Sequence, residues 1–182
     1  GNVAVVLPSK RAVVFLKHYL SKKISKPIFL PKFFSVEEFV EHISGLKVLD
    51  NISLQFYLYQ SYLAHPPKNA DSFDEFLNWS NVLLHDFNEV DRSMVDAKAI
   101  FSNLRKVKEL ENWKVENWSM AEEPLSKEQN NFVTFYQQIY DWYLHFNQSL
   151  LTQNAAYQGM AYRKAANEIK EVKISWGKVW FV

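Results

Sequence analysis

The stretch Val3-Ala-Val-Val-Leu-Pro-Ser-Lys-Arg11 decides how the rest of the chain is organised. Its five consecutive apolar residues predict a strand buried on both faces, and such strands belong to parallel sheets covered by helices. Pro8 ends this strand, and Ser9 stands where the N-cap of a following helix belongs. Ligands of open α/β sheets bind at the carboxyl ends of the strands, where this turn presents Ser9, Lys10 and Arg11. The residues alone therefore predict an α/β domain with a basic strand-to-helix turn.

Length and composition limit the class of protein. A chain of 182 residues accommodates one core, or a small sheet layer beside a helical lobe. It has no cysteine, which excludes disulfides and thiolate zinc sites and fits the cytoplasm. No apolar run approaches the roughly 18 residues of a membrane span, and no signal-peptide pattern is present. The β-rich run at 178–182 has no turn after it, so we expect a piece of a longer, cytoplasmic protein without a membrane partner.

The net charge of +1 hides a segregation of charge along the chain. Residues 1–36 contain no acid and seven cations, whereas residues 71–96 contain seven acids and Arg92 as the single cation. A basic surface suits a phosphate backbone, and an acidic one suits solvation or a basic partner. Solvation explains Lys22, Lys23 and Lys26 equally well. Lys10 and Arg11 are fixed at a strand end, which makes them the better candidates for phosphate contact.

Two capping boxes and a few breaking residues divide the remainder of the chain. A strand is predicted at 32–34, followed by the capping box Ser35-Val-Glu-Glu38 and a helix that ends at Gly45. A second capping box, Ser72-Phe-Asp-Glu75, opens a helix whose apolar stripe reaches Phe87, and a break is predicted from Asn88 to Ser93. A later helix is predicted over 155–169, where Gly159 marks a close contact. The predicted domains are residues 1–50 with 174–182, which form the sheet, and an inserted helical subdomain over 51–173.

The sequence contains no convincing pattern for a catalytic, metal or cofactor site. The pair at 177–178 lacks the remaining residues of a Walker A loop, so no nucleotide site is predicted. His85, Asp86, Glu89 and Asp91 resemble a metal cluster, but a helix end followed by a cap explains them better. The aromatic residues at 132–146 have the spacing of a packed helix, which we favour over base stacking. We predict no catalytic residue, no metal and no cofactor.

An ordered series of short motifs runs through the whole chain. Its members are Val5-Val-Leu-Pro-Ser-Lys-Arg-Ala12, Ser35-Val-Glu-Glu-Phe39, Ser72-Phe-Asp-Glu-Phe76, Asp86-Phe-Asn-Glu-Val-Asp91, Tyr157-Gln-Gly159 and Val179-Trp-Phe-Val182. This order resembles the amino-terminal region of the AddB-like PD-(D/E)XK nuclease proteins. The resemblance implies a partial RecA-like domain of a superfamily-one helicase fold, inactivated as a helicase, that carries an inserted helical subdomain. The nuclease domain of such proteins lies far toward the carboxyl end.

The same resemblance implies a function and a set of contacts. Relatives of AddB process double-strand DNA breaks for recombination, and the turn after the second core strand of their fold contacts single-stranded DNA. Ser9, Lys10 and Arg11 match that turn by position, and Ser35 falls near the next DNA-contacting motif, although capping also explains it. The expected partners are single-stranded DNA or a duplex end, carboxyl-terminal domains of the same chain, and a partner helicase-nuclease subunit.

We therefore expect a non-catalytic, helicase-like, DNA-engaging segment of a DNA repair exonuclease. One alternative is a protein-interaction scaffold derived from a degenerate helicase domain. Another is part of an ATP-dependent helicase whose Walker A loop lies outside these residues. For the fold, the sequence predicts that residues 3–7 and 178–182 are parallel strands of one sheet, because the long connection between them is the kind that parallel strands need.

Overall fold

The computed structural model describes residues 2–101, 127–172 and 176–182, and between 127 and 137 it describes the backbone alone. The elements in chain order are β1 (Val3–Leu7), α1 (Lys10–Lys23), β2 (Lys32–Ser35), α2 (Val36–Ser44), β3 (Lys47–Val48), α3 (Asn51–Ala64), α4 (Phe73–Arg92), α5 (Lys127–Thr152), β4 (Ala155–Ala156), α6 (Gln158–Glu168) and β5 (Lys178–Phe181). Residues 97–101 are also helical. The fold is α/β and mostly helical, with a small parallel sheet. Within the described ranges, no helix is both long and apolar enough to cross a membrane.

Three strands form the parallel sheet in the order β2-β1-β5. β1 is central and pairs in parallel with both neighbours, with Val5 opposite Phe33 on one side and Trp180 on the other. This confirms the prediction that residues 3–7 and 178–182 are parallel strands of one sheet. The pairing places the strand that begins the chain beside the strand that ends it.

Two compact units make up the chain: residues 1–47 with 161–182, and residues 48–160. The predicted boundaries were 1–50 with 174–182 for the sheet domain and 51–173 for the helical one. The first unit thus includes residues 161–172, because Ala165 of α6 belongs to the core of the sheet. The boundary falls within α6, a helix whose sequence gives no sign of a division.

One face of β1 carries the core of the sheet unit. Ala4 and Val6 pack there with Phe34, Phe39 and other apolar residues. On the opposite side Val3 and Val5 are only half-buried, so the prediction of burial on both faces is correct for one face alone. The reason is that α1, which packs on β1 and β2, has Val13 as its one fully buried side chain.

The helical unit has an aromatic core. α3 packs against α4 and α5. The largest fully buried side chains among the described residues of this unit include Trp142, Tyr62, Tyr157, Phe76, Phe87, Phe146, Leu58 and Leu150. Trp142 and Phe146 belong to the aromatic stripe of α5, so for these residues the core-packing interpretation is confirmed. The side chains of Phe132, Phe135 and Tyr136 lie outside the described residues.

Several helix ends are where local sequence signals predict them. Both predicted capping boxes are present, at Ser35 with Glu38 and at Ser72 with Glu75. Gly45 ends α2 in the left-handed conformation, at φ 66°, which a residue without Cβ adopts readily.

Two predicted boundaries in the helical unit are wrong. α4 is not broken at Asn88 but continues to Arg92, because Val90 and Asp91 are buried and hold its last turn in place. The later helix begins at Gln158 rather than at residue 155, because Ala155 and Ala156 form β4. β4 pairs with β3, and the Leu49 amide donates to the Ala156 carbonyl at 3.0 Å. Distant pairing here outweighs the local preference for helix.

Candidate nucleic-acid interface

Two strand-to-helix turns lie side by side at the carboxyl edge of the sheet. β1 ends beside β2, with Leu7 opposite Ser35 in the register, and each strand leads within a few residues into a helix. Ser9 caps α1, its hydroxyl accepting from the Ala12 amide at 3.2 Å. The amino termini of α1 and α2 therefore meet at one edge, where their free amides and dipoles favour negative charge.

Lys10 and Arg11 occupy the first two positions of α1. Both side chains are exposed. The Lys10 ammonium lies 3.8 Å from Oε1 of Glu38, in an ion pair whose side chains are 67% and 39% exposed. Exposed pairs of this kind contribute from nothing to about 1 kcal/mol. The pair is thus weak enough to open when a phosphate competes for Lys10.

Ser35 is placed differently from the other three predicted site residues. It is buried, and its hydroxyl accepts from the Glu38 amide at 3.2 Å while its own amide donates to Glu38 Oε2 at 2.9 Å. Capping thus occupies both groups. The structure offers no surface at Ser35 for DNA, so Ser35 is left out of the contact proposed below.

Glu38 links the two turns and was not among the predicted site residues. One of its carboxylate oxygens accepts from Ser35, and the other faces Lys10. The capping box in the sequence predicts the first contact. The ion pair with Lys10 depends on the register of β1 and β2, which brings residues 10 and 38 together. Neither segment of sequence indicates this register by itself.

The carboxylates of the helical unit lie in different environments, although the sequence shows them only as a run of acids. Hydrogen bonds from Ser72 lower the pKa of Glu75, whereas burial raises the pKa of Asp86. Oε1 of Glu89 lies 3.6 Å from Nη1 of Arg92, in an ion pair. In the parts of the chain that the structure describes, no group of three or more His, Cys, Asp or Glu side chains is placed to hold a metal.

Asp91 lies inside the helical unit and is only 1% exposed, so it is a buried residue of the last turn of α4 rather than part of a cap that follows the helix. The hydroxyl of Tyr143 donates to its Oδ1 at 2.5 Å, and the hydroxyl of Tyr157 donates to its Oδ2. Burial, and then the charge of Asp91, raise the pKa of Tyr157 well above its usual value. Tyr157 therefore remains a hydrogen-bond donor at neutral pH.

A second contact joins residues 157–159 to α4, and it is made by Gly159 and Asn88. The Gly159 amide donates to Asn88 Oδ1 at 2.7 Å. A Cβ at residue 159 would overlap the carbonyl oxygen of Asn88, which confirms the close contact predicted at Gly159. Two of the motifs that carry the family resemblance, 86–91 and 157–159, thus pack against each other in the helical unit.

A cleft of about 340 Å³ adjoins this contact. Its lining combines apolar side chains with amides: Val48, Leu49, Asn51, Leu54, Asn81, Leu84, His85, Asn88, Tyr157 and Gln158. The lining contains no lysine or arginine, so it is poorly suited to a phosphate. It gives no support to nucleotide binding.

In the part of the chain that the structure describes, Ser61 and His145 are a serine and a histidine within hydrogen-bond distance, as in a nucleophile and its base. Ser61 Oγ lies 3.1 Å from His145 Nδ1. Ser61 is fully buried, however, and its hydroxyl donates to the Tyr57 carbonyl at 3.0 Å. With that proton engaged, the Ser61 hydroxyl does not donate to His145, as activation by a general base would require.

Comparisons with family models, with curated proteins and with solved structures gave no match to this chain. The candidate interface therefore rests on its own geometry and charge.

Proposed function

We propose that this chain is a non-catalytic, helicase-like segment of an AddB-like DNA repair and recombination exonuclease, and that it engages DNA through the turn between β1 and α1. Its sheet unit is part of a RecA-like domain, and residues 48–160 are the inserted helical subdomain. The rest of the protein supplies nuclease chemistry. The expected partners are DNA, further domains of the same protein and a helicase-nuclease subunit.

One observation carries the proposal: Lys10 and Arg11 stand exposed at the carboxyl end of the central parallel strand, beside two helix amino termini. In open α/β sheets this edge is where ligands bind. The flanking amides, the dipoles and the two cations all favour an anion. A chain of phosphates is the anion that the surplus of cations over residues 1–36 fits best.

Replacing both Lys10 and Arg11 by alanine is expected to weaken binding to single-stranded DNA and to make it less dependent on salt. Each lost phosphate contact lowers the slope of log affinity against log salt by about 0.7, so the slope should fall by about 1.4. The measurement is fluorescence anisotropy with a labelled oligonucleotide across a salt series.

The matched control removes two exposed lysines from the helical unit, Lys68 and Lys98, in the same way. It changes the net charge by the same amount and should leave the slope unchanged. If the Lys10 and Arg11 variant keeps wild-type affinity and slope, the turn is only a solvated strand end and the proposed contact is wrong.

Glu38→Gln should have the opposite effect and strengthen DNA binding about two- to fivefold at low salt. Glutamine at this position of a capping box still accepts from the Ser35 amide, so α2 keeps its cap while Lys10 loses its competing carboxylate. The gain should disappear in a variant that also carries Lys10→Ala. A Glu38→Gln protein that binds no better than wild type, although equally stable, would show that Lys10 takes no part in binding.

A second candidate function is the protein-interaction scaffold. The observation in its favour is the exposure of large apolar side chains on β5, where Trp180 is 58% and Phe181 68% exposed. The two functions are separated by the salt series, because binding through these side chains has no counterion release and depends little on salt.

A further inference from the structure

The outer face of α1 combines cations with exposed aromatic rings. We define this face by Arg11, Phe15, Tyr19, Lys22 and Lys23, all of which are exposed. Phe15 is 66% and Tyr19 58% exposed. The inner face of the same helix carries Val13, which is buried, with Leu16 and Leu20 half-buried. Neither ring is therefore needed for the packing of α1 on the sheet.

Spacing places these five side chains together. One side of an α-helix repeats at spacings of four and seven residues. Phe15 follows Arg11 by four residues, and Lys22 follows Phe15 by seven. Tyr19 follows Phe15 by four residues, and Lys23 follows Tyr19 by four. From Arg11 to Lys22 the helix rises about 16 Å, the length of roughly five nucleotides at about 3.4 Å each along a strand.

Single exposed apolar residues are common and need no explanation. On α1, however, the rings lie between cations, and the Lys23 ammonium lies 5.8 Å from the centre of the Tyr19 ring. No acidic residue occurs from residue 1 to residue 36. Rings for stacking, flanked by cations for phosphates, are the combination by which proteins bind unpaired nucleic-acid strands.

We infer that the outer face of α1 is a stacking surface for the bases of an unpaired nucleic-acid strand, with Phe15 and Tyr19 as the rings and Arg11, Lys22 and Lys23 as the phosphate contacts. This inference rests on the proposed function and extends it from the turn along the whole helix. A paired duplex hides its bases from such rings, so the surface prefers a single strand.

A membrane surface would also attract a basic helix with aromatic residues. Interfacial helices immerse a continuous apolar face, however, and the continuous apolar face of α1, formed by Val13, Leu16 and Leu20, is turned toward the sheet. On the outer face the two rings are neighbours, and cations flank them at both ends. An unpaired strand, which offers bases for the rings and phosphates for the flanking cations, matches it better.

The test replaces Phe15 and Tyr19 by alanine together and measures binding to two single strands of about 16 nucleotides, one normal and one abasic. The abasic strand has the same phosphates but no bases to stack. For the normal strand, the double variant should bind roughly 25-fold more weakly, since each ring contributes at least about fivefold, and the salt slope should not change. For the abasic strand it should bind as wild type does.

Two further variants complete the design. Replacing Lys22 and Lys23 by alanine should weaken binding to both strands and lower the salt slope. Phe56→Ala removes another exposed ring, from the helical unit, and should leave both affinities unchanged. Circular dichroism checks that each variant is folded.

Several results would overturn the inference. An unchanged affinity of the Phe15 and Tyr19 variant for the normal strand would do so, as would an equal loss for both strands. Loss of binding to phosphatidylserine vesicles, with strand binding intact, would reassign the face to a membrane. In these cases the Lys10 and Arg11 contact still stands. If the wild-type protein binds neither strand, the proposed function fails as well.

Discussion

Asp91→Ala is expected to lower the free energy of unfolding by about 4 kcal/mol. The Asp91 carboxylate is buried and accepts from the hydroxyls of Tyr143 and Tyr157. Hydrogen bonds to a charged group contribute about 1.5 to 3 kcal/mol each, and the substitution removes two of them. Urea unfolding followed by circular dichroism measures the change.

Glu89→Ala is the matched control, since Glu89 is an acid of the same helix with one weak ion pair to Arg92. It should cost less than about 1 kcal/mol. Tyr143→Phe removes one of the two donors, so its loss of unfolding free energy should lie between the losses caused by Glu89→Ala and Asp91→Ala. An Asp91→Ala protein no less stable than the Glu89 variant would contradict the structural role assigned to this network.

The raised pKa of Tyr157 gives the same network a pH dependence. Its folded-state pKa lies above the unfolded value of about 10, so its stabilising effect is fully present below pH 10. That effect is lost as the pH rises toward the folded-state pKa, because the ionised phenolate no longer donates to Asp91.

Gly159→Ala is expected to destabilise the helical unit by about 2 to 3 kcal/mol. The new Cβ would overlap the carbonyl oxygen of Asn88 and lie 3.0 Å from the carbonyl carbon and 3.1 Å from the Arg92 amide nitrogen. These are backbone atoms inside or beside the last turns of α4, so they yield less readily than a side chain. The better helix propensity of alanine offsets only about 1 kcal/mol of this loss of stability.

Gly177→Ala provides the control for this substitution. Its Cβ would lie 2.8 Å from Nδ2 of Asn2, which is the end of a flexible side chain that can move aside. Thermal unfolding should show a clear fall in Tm for Gly159→Ala and little change for Gly177→Ala. Equal effects would mean that the backbone contact between residues 88 and 159 is not tight.

Local chemistry made much of the fold predictable. Ser9, Ser35 and Ser72 were recognised as caps because a side-chain oxygen next to free amides acts within a single turn of helix. Gly45 was recognised as a helix end for an equally local reason. The run of valine at 3–7 predicted a strand, and the long connection to residues 178–182 predicted parallel pairing, as found.

The candidate interface was only partly predictable. The sequence placed Lys10 and Arg11 at a strand end, but it did not reveal that Glu38 pairs with Lys10. The family resemblance implied a DNA contact near Ser35, although this residue is buried. Phe15 and Tyr19 follow the helical repeat, yet their exposure depends on which side of α1 faces the sheet.

By itself, the sequence determined what depends on neighbours along the chain: the caps, the strand at 3–7, the basic character of residues 1–36 and the need for a parallel sheet. Tertiary structure alone decided the extension of α4 to Arg92, the burial of Asp91 between two tyrosines and the pairing of β3 with β4. The reason is physical. Burial and long-range hydrogen bonds outweigh local preferences of about 1 kcal/mol or less per residue, and the partners that supply them are 52 and 66 residues away from Asp91 in the chain.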